Sequence, residues 1–149
     1  MAAGTFTLYD SVAELIGDGT IDLDNDTFTV QLHTSSYTPA ATHDELADLT
    51  NEHANANGYT TGGITLTGVT WNRASGVATF DSNDAVWTAS GGSIVARYAI
   101  LIDTTATNDK LIGYMLLDAT PADVTATTGN PLTVATPATG WFQSTVNPA

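Results

Sequence analysis

The chain has 149 residues, of which 16 are Asp or Glu and three are Lys or Arg, giving a net charge of −13, and it contains no cysteine. Ten carboxylates precede the first cation, Arg73, and only Arg97 and Lys110 follow it. Such a surface repels phosphate, which excludes charge-driven binding to nucleic acid or acidic membranes; the missing thiols exclude disulfides, thiolate metal sites and thiol catalysis.

The N-terminal MAAGTFTLYD lacks the basic segment and apolar core of a secretory signal, and no apolar run approaches the roughly 20 residues that span a bilayer, so a protein made in the cytosol is expected. Ser11 with Glu14 spells a capping box, and Val12, Leu15 and Ile16 form an apolar stripe that stops at Gly17 and Gly19; this predicts a first short helix. Phe28, Val30 and Leu32 alternate with Thr29, Gln31 and His33, the pattern of a half-buried strand. Thr42 with Glu45 repeats the capping device, with Leu46 and Leu49 as the buried face and Asn57-Gly58 as a left-handed stop, so a second helix is expected.

From there on the chain reads as strand and turn. Ile64 and Leu66 alternate with threonine, Gly68 marks a bulge before Val69 and Trp71, and Asn72 to Gly76 reads as a turn. Strands follow at Val77 to Phe80 and Ala85 to Thr88, the latter closed by Gly91 and Gly92. Val95 to Ile102 and Leu111 to Leu117 are nearly continuous in apolar residues, which predicts a hairpin buried on both faces at the centre of a sheet. Pro121 to Thr128 reads as loop, and Leu132 to Thr136 and Trp141 to Val146 as the last strands. Abundant threonine and the excess of Asp over Glu agree with strands and turns. The expected fold is mainly β, a single antiparallel β-sandwich or barrel-like domain over residues 1–149 with two short helices in its N-terminal third. The acidic bias also fits a high-salt habitat.

Few constellations suggest chemistry. Asp22, Asp24 and Asp26 have the spacing that opens a calcium loop, but Thr27 stands where that loop needs glycine and His33 where it needs glutamate, so an acidic turn is the better reading. His33, His43 and His53 recur at ten-residue intervals, which puts no two on one helical face; hydrogen-bonded or exposed roles are expected in place of metal ligation. No nucleophile elbow, phosphate loop or dinucleotide fingerprint occurs, and Asp81, Asp84, Asp103 and Asp118, which flank strands, read as turn residues before they read as a glycosidase pair. No enzyme and no cofactor are expected. Trp71 and Trp87 follow the apolar parity of their strands and are assigned to the core, against a sugar-stacking platform. Trp141, beside Phe142, is the better candidate for an exposed interface residue, unless the last strand closes the core. Arg97 inside an apolar run requires a carboxylate partner, with Asp103 and Asp118 nearest by expected topology.

Taken in order, LIGDGTIDLDNDTFTVQLHTSSYTP, LTNEHANANGYTTGGITLTGVTW, GVATFDSNDAVW and ARYAILIDTTATNDKLIGYMLLD resemble a family of small virion structural proteins of tailed bacteriophages and related archaeal viruses. The likeness spans Leu15 to Asp118 and rests on a G-x-I-D-L-x-x-D-T stretch, on Gly58, Tyr59, Thr60, Gly62 and Gly63, and on Ala96, Arg97, Tyr98 and Ala99. The tail from Asp118 departs from it. The resemblance implies a non-enzymatic head decoration or cement protein on the outer surface of the virion, bound to the major capsid protein and self-associating on its lattice. A tail or fibre component, a carbohydrate-binding β-sandwich module and a calcium-dependent adhesin are the alternatives. Attachment is expected through the N-terminal arm or the acidic excursion from Thr34 to Gly63, with Phe6, Tyr9, Tyr37 and Trp141 as apolar anchors.

Overall fold

The computed structural model describes residues 2–146, and among these the alternating segments become antiparallel strands. In chain order they are β1 (Thr7–Leu8), α1 (Val12–Gly17), β2 (Phe28–His33), a 3-10 turn (Leu46–Asp48), β3 (Ile64–Thr65), β4 (Thr70–Ala74), β5 (Val77–Asp81), β6 (Ala85–Thr88), β7 (Ile94–Ala96), β8 (Tyr98–Asp103), β9 (Lys110–Leu116), β10 (Val124–Ala126), β11 (Pro131–Val134) and β12 (Phe142–Thr145). A five-stranded sheet runs β1-β9-β8-β2-β3; β12-β5-β4 form a second sheet, and β10-β7 and β11-β6 are pairs. The fold is mainly β with antiparallel sheets, and no sheet closes into a barrel among the described residues.

The central sheet is covered on both faces, which is why β8 and β9 read as continuous apolar runs. On one face Phe28, Val30 and Leu32 of β2 lie opposite Asp103, Leu101 and Ala99 of β8, and the apolar groups join a large cluster with Phe80, Trp87, Ile94, Ile112 and Trp141. On the other, Thr29, Gln31 and His33 lie opposite Ile102, Ile100 and Tyr98, beside a smaller cluster of Tyr9, Val12, Tyr37, Ile100, Ile102 and Leu111. Strand β2 is therefore buried on both faces, not half-buried as its alternation suggests: the excursion from Thr34 to Gly63 folds back over its polar side.

Several sequence expectations are corrected. Helix α1 has six residues, and Ser11 already has helical angles (φ −73°, ψ −19°), so its side chain forms no cap and its Oγ is buried without a partner. The second helix is only the 3-10 turn, boxed by Glu45 and Asp48 in place of Thr42 and Glu45. Tertiary hydrogen bonds override the local signal there: Leu46 N–H donates to the Asp109 carbonyl and Leu111 N–H to that of Asp44, tying the segment to the start of β9. The predicted strand from Val95 to Ile102 breaks at Arg97, so that β7 pairs with β10 while β8 enters the central sheet. The expected Pro121–Thr128 loop contains β10, and β1 had no sequence signal. Gly68 lies in the connection between β3 and β4, and the expected Asn72–Gly76 turn shrinks to Ser75-Gly76, both at positive φ. Asn57 and Gly58 do adopt left-handed angles, but in a loop; Gly63 does as well, and a β-carbon there would overlap the Val30 carbonyl.

Candidate functional site

The four candidate anchors divide between two interior clusters. Trp141 is buried and donates its Nε1–H to Ser82 Oγ at 2.9 Å, while half-buried Phe6 meets it edge-on at 5.2 Å. Gly113 makes room for Phe6, since a β-carbon there would meet the ring at 2.6 Å. Tyr9 and Tyr37 are buried with their hydroxyls 2.9 Å apart, and Tyr37 Oη lies 2.9 Å from His43 Nδ1. Burial raises the pKa of both tyrosines, so they remain neutral hydrogen-bonding groups. Tyr9, Tyr37 and Trp141 thus offer no exposed contact area. Trp87 is in the core as expected, and Trp71 is half-buried against Phe142 at 5.9 Å between ring centres.

The acidic candidates are held mostly by backbone N–H groups. Asp22 accepts from the Asp24 N–H and the Asn25 side chain, and Asp26 accepts from the Asp22 N–H, an acidic turn leading into β2. Asp103 accepts from the N–H groups of Thr105 and Ala106, Asp118 from that of Thr120, Asp81 from that of Ser82 and Asp84 from that of Thr136. Arg97 does find a carboxylate, but it is Asp123, at 2.8 Å. The register of β10 against β7 sets Val124 opposite Ala96 and so brings Asp123 to Arg97; Asp103 and Asp118 are occupied by their own turns. Among the described residues no group of three or more His, Cys, Asp or Glu is arranged to hold a metal, and no helix is long and apolar enough to cross a membrane.

The excursion from Thr34 to Gly63 builds a concavity over the polar side of β2. Thr34 N–H donates to the Asn51 carbonyl and His53 N–H to that of Leu32, which seats residues 50–53 beside the end of β2. Beneath it is a cavity of ≈ 370 Å³ lined by Gln31, His33, Leu46, Leu49, Glu52 and Thr61, among others. His33 is fully buried; its Nδ1 is 2.8 Å from the Thr50 carbonyl and its Nε2 3.2 Å from the Gln31 amide. Burial pulls its pKa below the ordinary histidine value, outweighing the opposing effects of the Thr50 carbonyl and Glu52, so the ring is neutral. Glu52 Oε1 accepts from the Tyr59 hydroxyl at 2.7 Å and the Gly62 N–H at 2.6 Å. The excursion contributes Asp44, Glu45, Asp48 and Glu52 and no Lys or Arg. Lys110 meets it from β9, 2.9 Å from Glu45 and 3.7 Å from Asp44.

Neither Gln31 nor Glu52 stands out in the sequence as a site residue. Gln31 reads as the outward half of an alternating strand, and Glu52 falls in the later part of the expected second helix, beyond its apolar face of Leu46 and Leu49. Comparison with protein-family models, curated proteins and solved structures finds no match to this chain.

Proposed function

We propose that the chain is a non-enzymatic structural protein of a virion, a decoration or cement protein that binds the outer surface of the major capsid lattice and stabilises the head. In this reading the sheets stack as a β-sandwich that serves as a rigid carrier. The observation that carries the proposal is the uncompensated negative charge on a β scaffold: Arg97 and Lys110 are each engaged by carboxylates, so an acidic surface faces outward, suited to a basic rim on a partner and unsuited to the genome. The resemblance over Leu15 to Asp118 supplies the class of partner. The acidic excursion is the favoured contact because it is a connecting segment without Lys or Arg that carries four carboxylates, Asp44, Glu45, Asp48 and Glu52.

The test is quantitative mass spectrometry of purified virions, followed by heating of particles with and without the protein. Hundreds of copies and a lower capsid melting temperature on removal are the expected results. Six copies or fewer would place the protein in the tail, and absence from the particle would overturn the reading altogether.

A further inference from the structure

The hydrogen-bond chemistry of the cavity under the excursion specifies which ligand it accepts. His33 Nδ1 faces the Thr50 carbonyl at 2.8 Å, so it carries the proton and donates. In the neutral ring Nε2 is then a lone-pair acceptor. As placed, the Gln31 carbonyl oxygen lies 3.2 Å from that nitrogen, an acceptor against an acceptor. A half-turn of the amide exchanges two atoms of nearly equal size and lets the Gln31 NH₂ donate to His33. Its carbonyl oxygen is then released from the His33 ring, on a side chain that lines the cavity and is only 5% exposed. Glu52 supplies the second acceptor: Oε1 is occupied by Tyr59 and Gly62, while Oε2 has no hydrogen-bond partner among the described residues. Leu46 and Leu49 form an apolar wall.

We propose that this cavity is a docking pocket for a lysine side chain of a partner protein, its four-carbon stem lying against Leu46 and Leu49 and its ammonium donating to Glu52 Oε2 and the Gln31 carbonyl. Two fixed acceptors, with the Thr50 and Thr61 hydroxyls beside them able to accept as well as donate, suit a group that only donates. The single free carboxylate oxygen favours a point-like ammonium over the forked guanidinium of arginine, which is best matched by both oxygens of a carboxylate. Charge complementarity agrees, because Glu52 lines the pocket, Asp44, Glu45 and Asp48 belong to the same excursion, and Lys110 is already paired with Glu45 and Asp44. The pocket stands on this geometry; that its lysine belongs to a capsid protein rests on the functional reading above.

The experiment is a titration of the full ¹⁵N-labelled chain with the blocked peptide acetyl-Gly-Lys-Gly-amide, followed by NMR, with the acetyl-lysine, arginine and norleucine peptides and n-butylamine alongside. A saturable isotherm in about the millimolar range is expected for one side chain, with shifts at the Gln31 side-chain amide and at Leu46, Leu49 and Thr61. Acetyl-lysine and norleucine peptides should not bind, and arginine should bind several-fold more weakly. Glu52→Gln keeps the oxygen that Tyr59 and Gly62 use and removes the charge, so binding should fall at least tenfold with the backbone spectrum retained. If that variant does not fold, Leu49→Ala provides the readout, with an expected several-fold loss. The ¹⁵N shifts of His33 should show protonated Nδ1 and bare Nε2. The reverse tautomer, equal binding of acetyl-lysine, equal or tighter binding of arginine, retention of affinity in Glu52→Gln, or no saturable shift would each overturn the pocket. Binding of butylamine without the lysine peptide would make it a small-amine site and overturn the docking role. A virion copy number of six or fewer alongside normal lysine binding would instead refute the decoration reading and leave the pocket standing.

Discussion

The two faces of the central sheet are both buried, but by different means. Under Phe28, Val30 and Leu32 the cover is a broad apolar cluster, in which Phe28 meets Phe80 edge-on at 4.9 Å. Under Thr29, Gln31 and His33 it is a small cluster threaded by a hydrogen-bonded chain from Tyr9 through Tyr37 to His43. The first face gains stability from area removed from water, in proportion and without direction. The second gains only where each buried polar atom finds its partner, and loses where one does not. Thr29 Oγ1 is such an unmatched atom, while Asp103 Oδ2, opposite Phe28 in the same β2–β8 ladder, is one on the apolar face. The polar face is the less economical way to bury a strand, and it is the face over which the pocket forms.

Substitutions on β2 and its neighbours separate the two faces experimentally. Phe28→Ala, at a fully buried ring of the apolar face, should cost about 3–5 kcal/mol through lost transfer energy and the cavity left behind. Urea denaturation measures it, and a loss under 1 kcal/mol would mean that the apolar face is not the stabilising one.

Asp103 tests the unmatched acid. Burial, with Asp26 as a smaller contributor, raises its pKa from 3.8 to about 6 against the opposing N–H donors of Thr105 and Ala106. An acid with a raised folded pKa binds more protons in the folded state, so its contribution to stability is full below pH 3.8 and is lost as pH rises to about 6. The loss is roughly 2–3 kcal/mol across that window. Carboxylates with lowered pKa values, such as Asp18 and Asp118, act in the opposite direction below it, so the parent must be compared with Asp103→Asn. The variant should lack the decline between these pH values; a parallel pair of stability curves would refute the assignment.

Thr29→Val should change stability by about 1 kcal/mol in the favourable direction, since it removes a buried hydroxyl that bonds nothing and keeps the branched shape. A destabilisation of that size would show that the hydroxyl has a partner, such as an ordered water. Smallest of all, Arg97→Gln should cost less than about 1 kcal/mol, because the Arg97–Asp123 pair is part-exposed and screened. Thermal unfolding in low and high salt measures it, and a larger, salt-independent loss would make the pair an organising contact between β7 and β10.

Much of the fold was legible in the residues. Alternation placed β2, β5 and β6 and the last two strands close to their positions, and the double-sided apolar runs marked β8 and β9 as central. Local capping signals were weaker guides: Thr42 and Glu45 spelled a helix start that hydrogen bonds to residues near 109–111 dissolved. Arg97 announced its need for a carboxylate without naming Asp123, because strand pairing between β7 and β10 has no local signature.

Composition, and the period of apolar residues along one segment, suffice for the β class, the repulsion of phosphate, the absence of thiol chemistry and the two-sided burial of the β8–β9 hairpin. Contacts between distant segments bury the polar side of β2, place Tyr9, Tyr37 and Trp141 inside, and bring Gln31 and Glu52 to one cavity. Those facts depend on which distant segments fold over a given face, and hydrogen bonds and packing between residues twenty or more positions apart leave no period in the sequence to read.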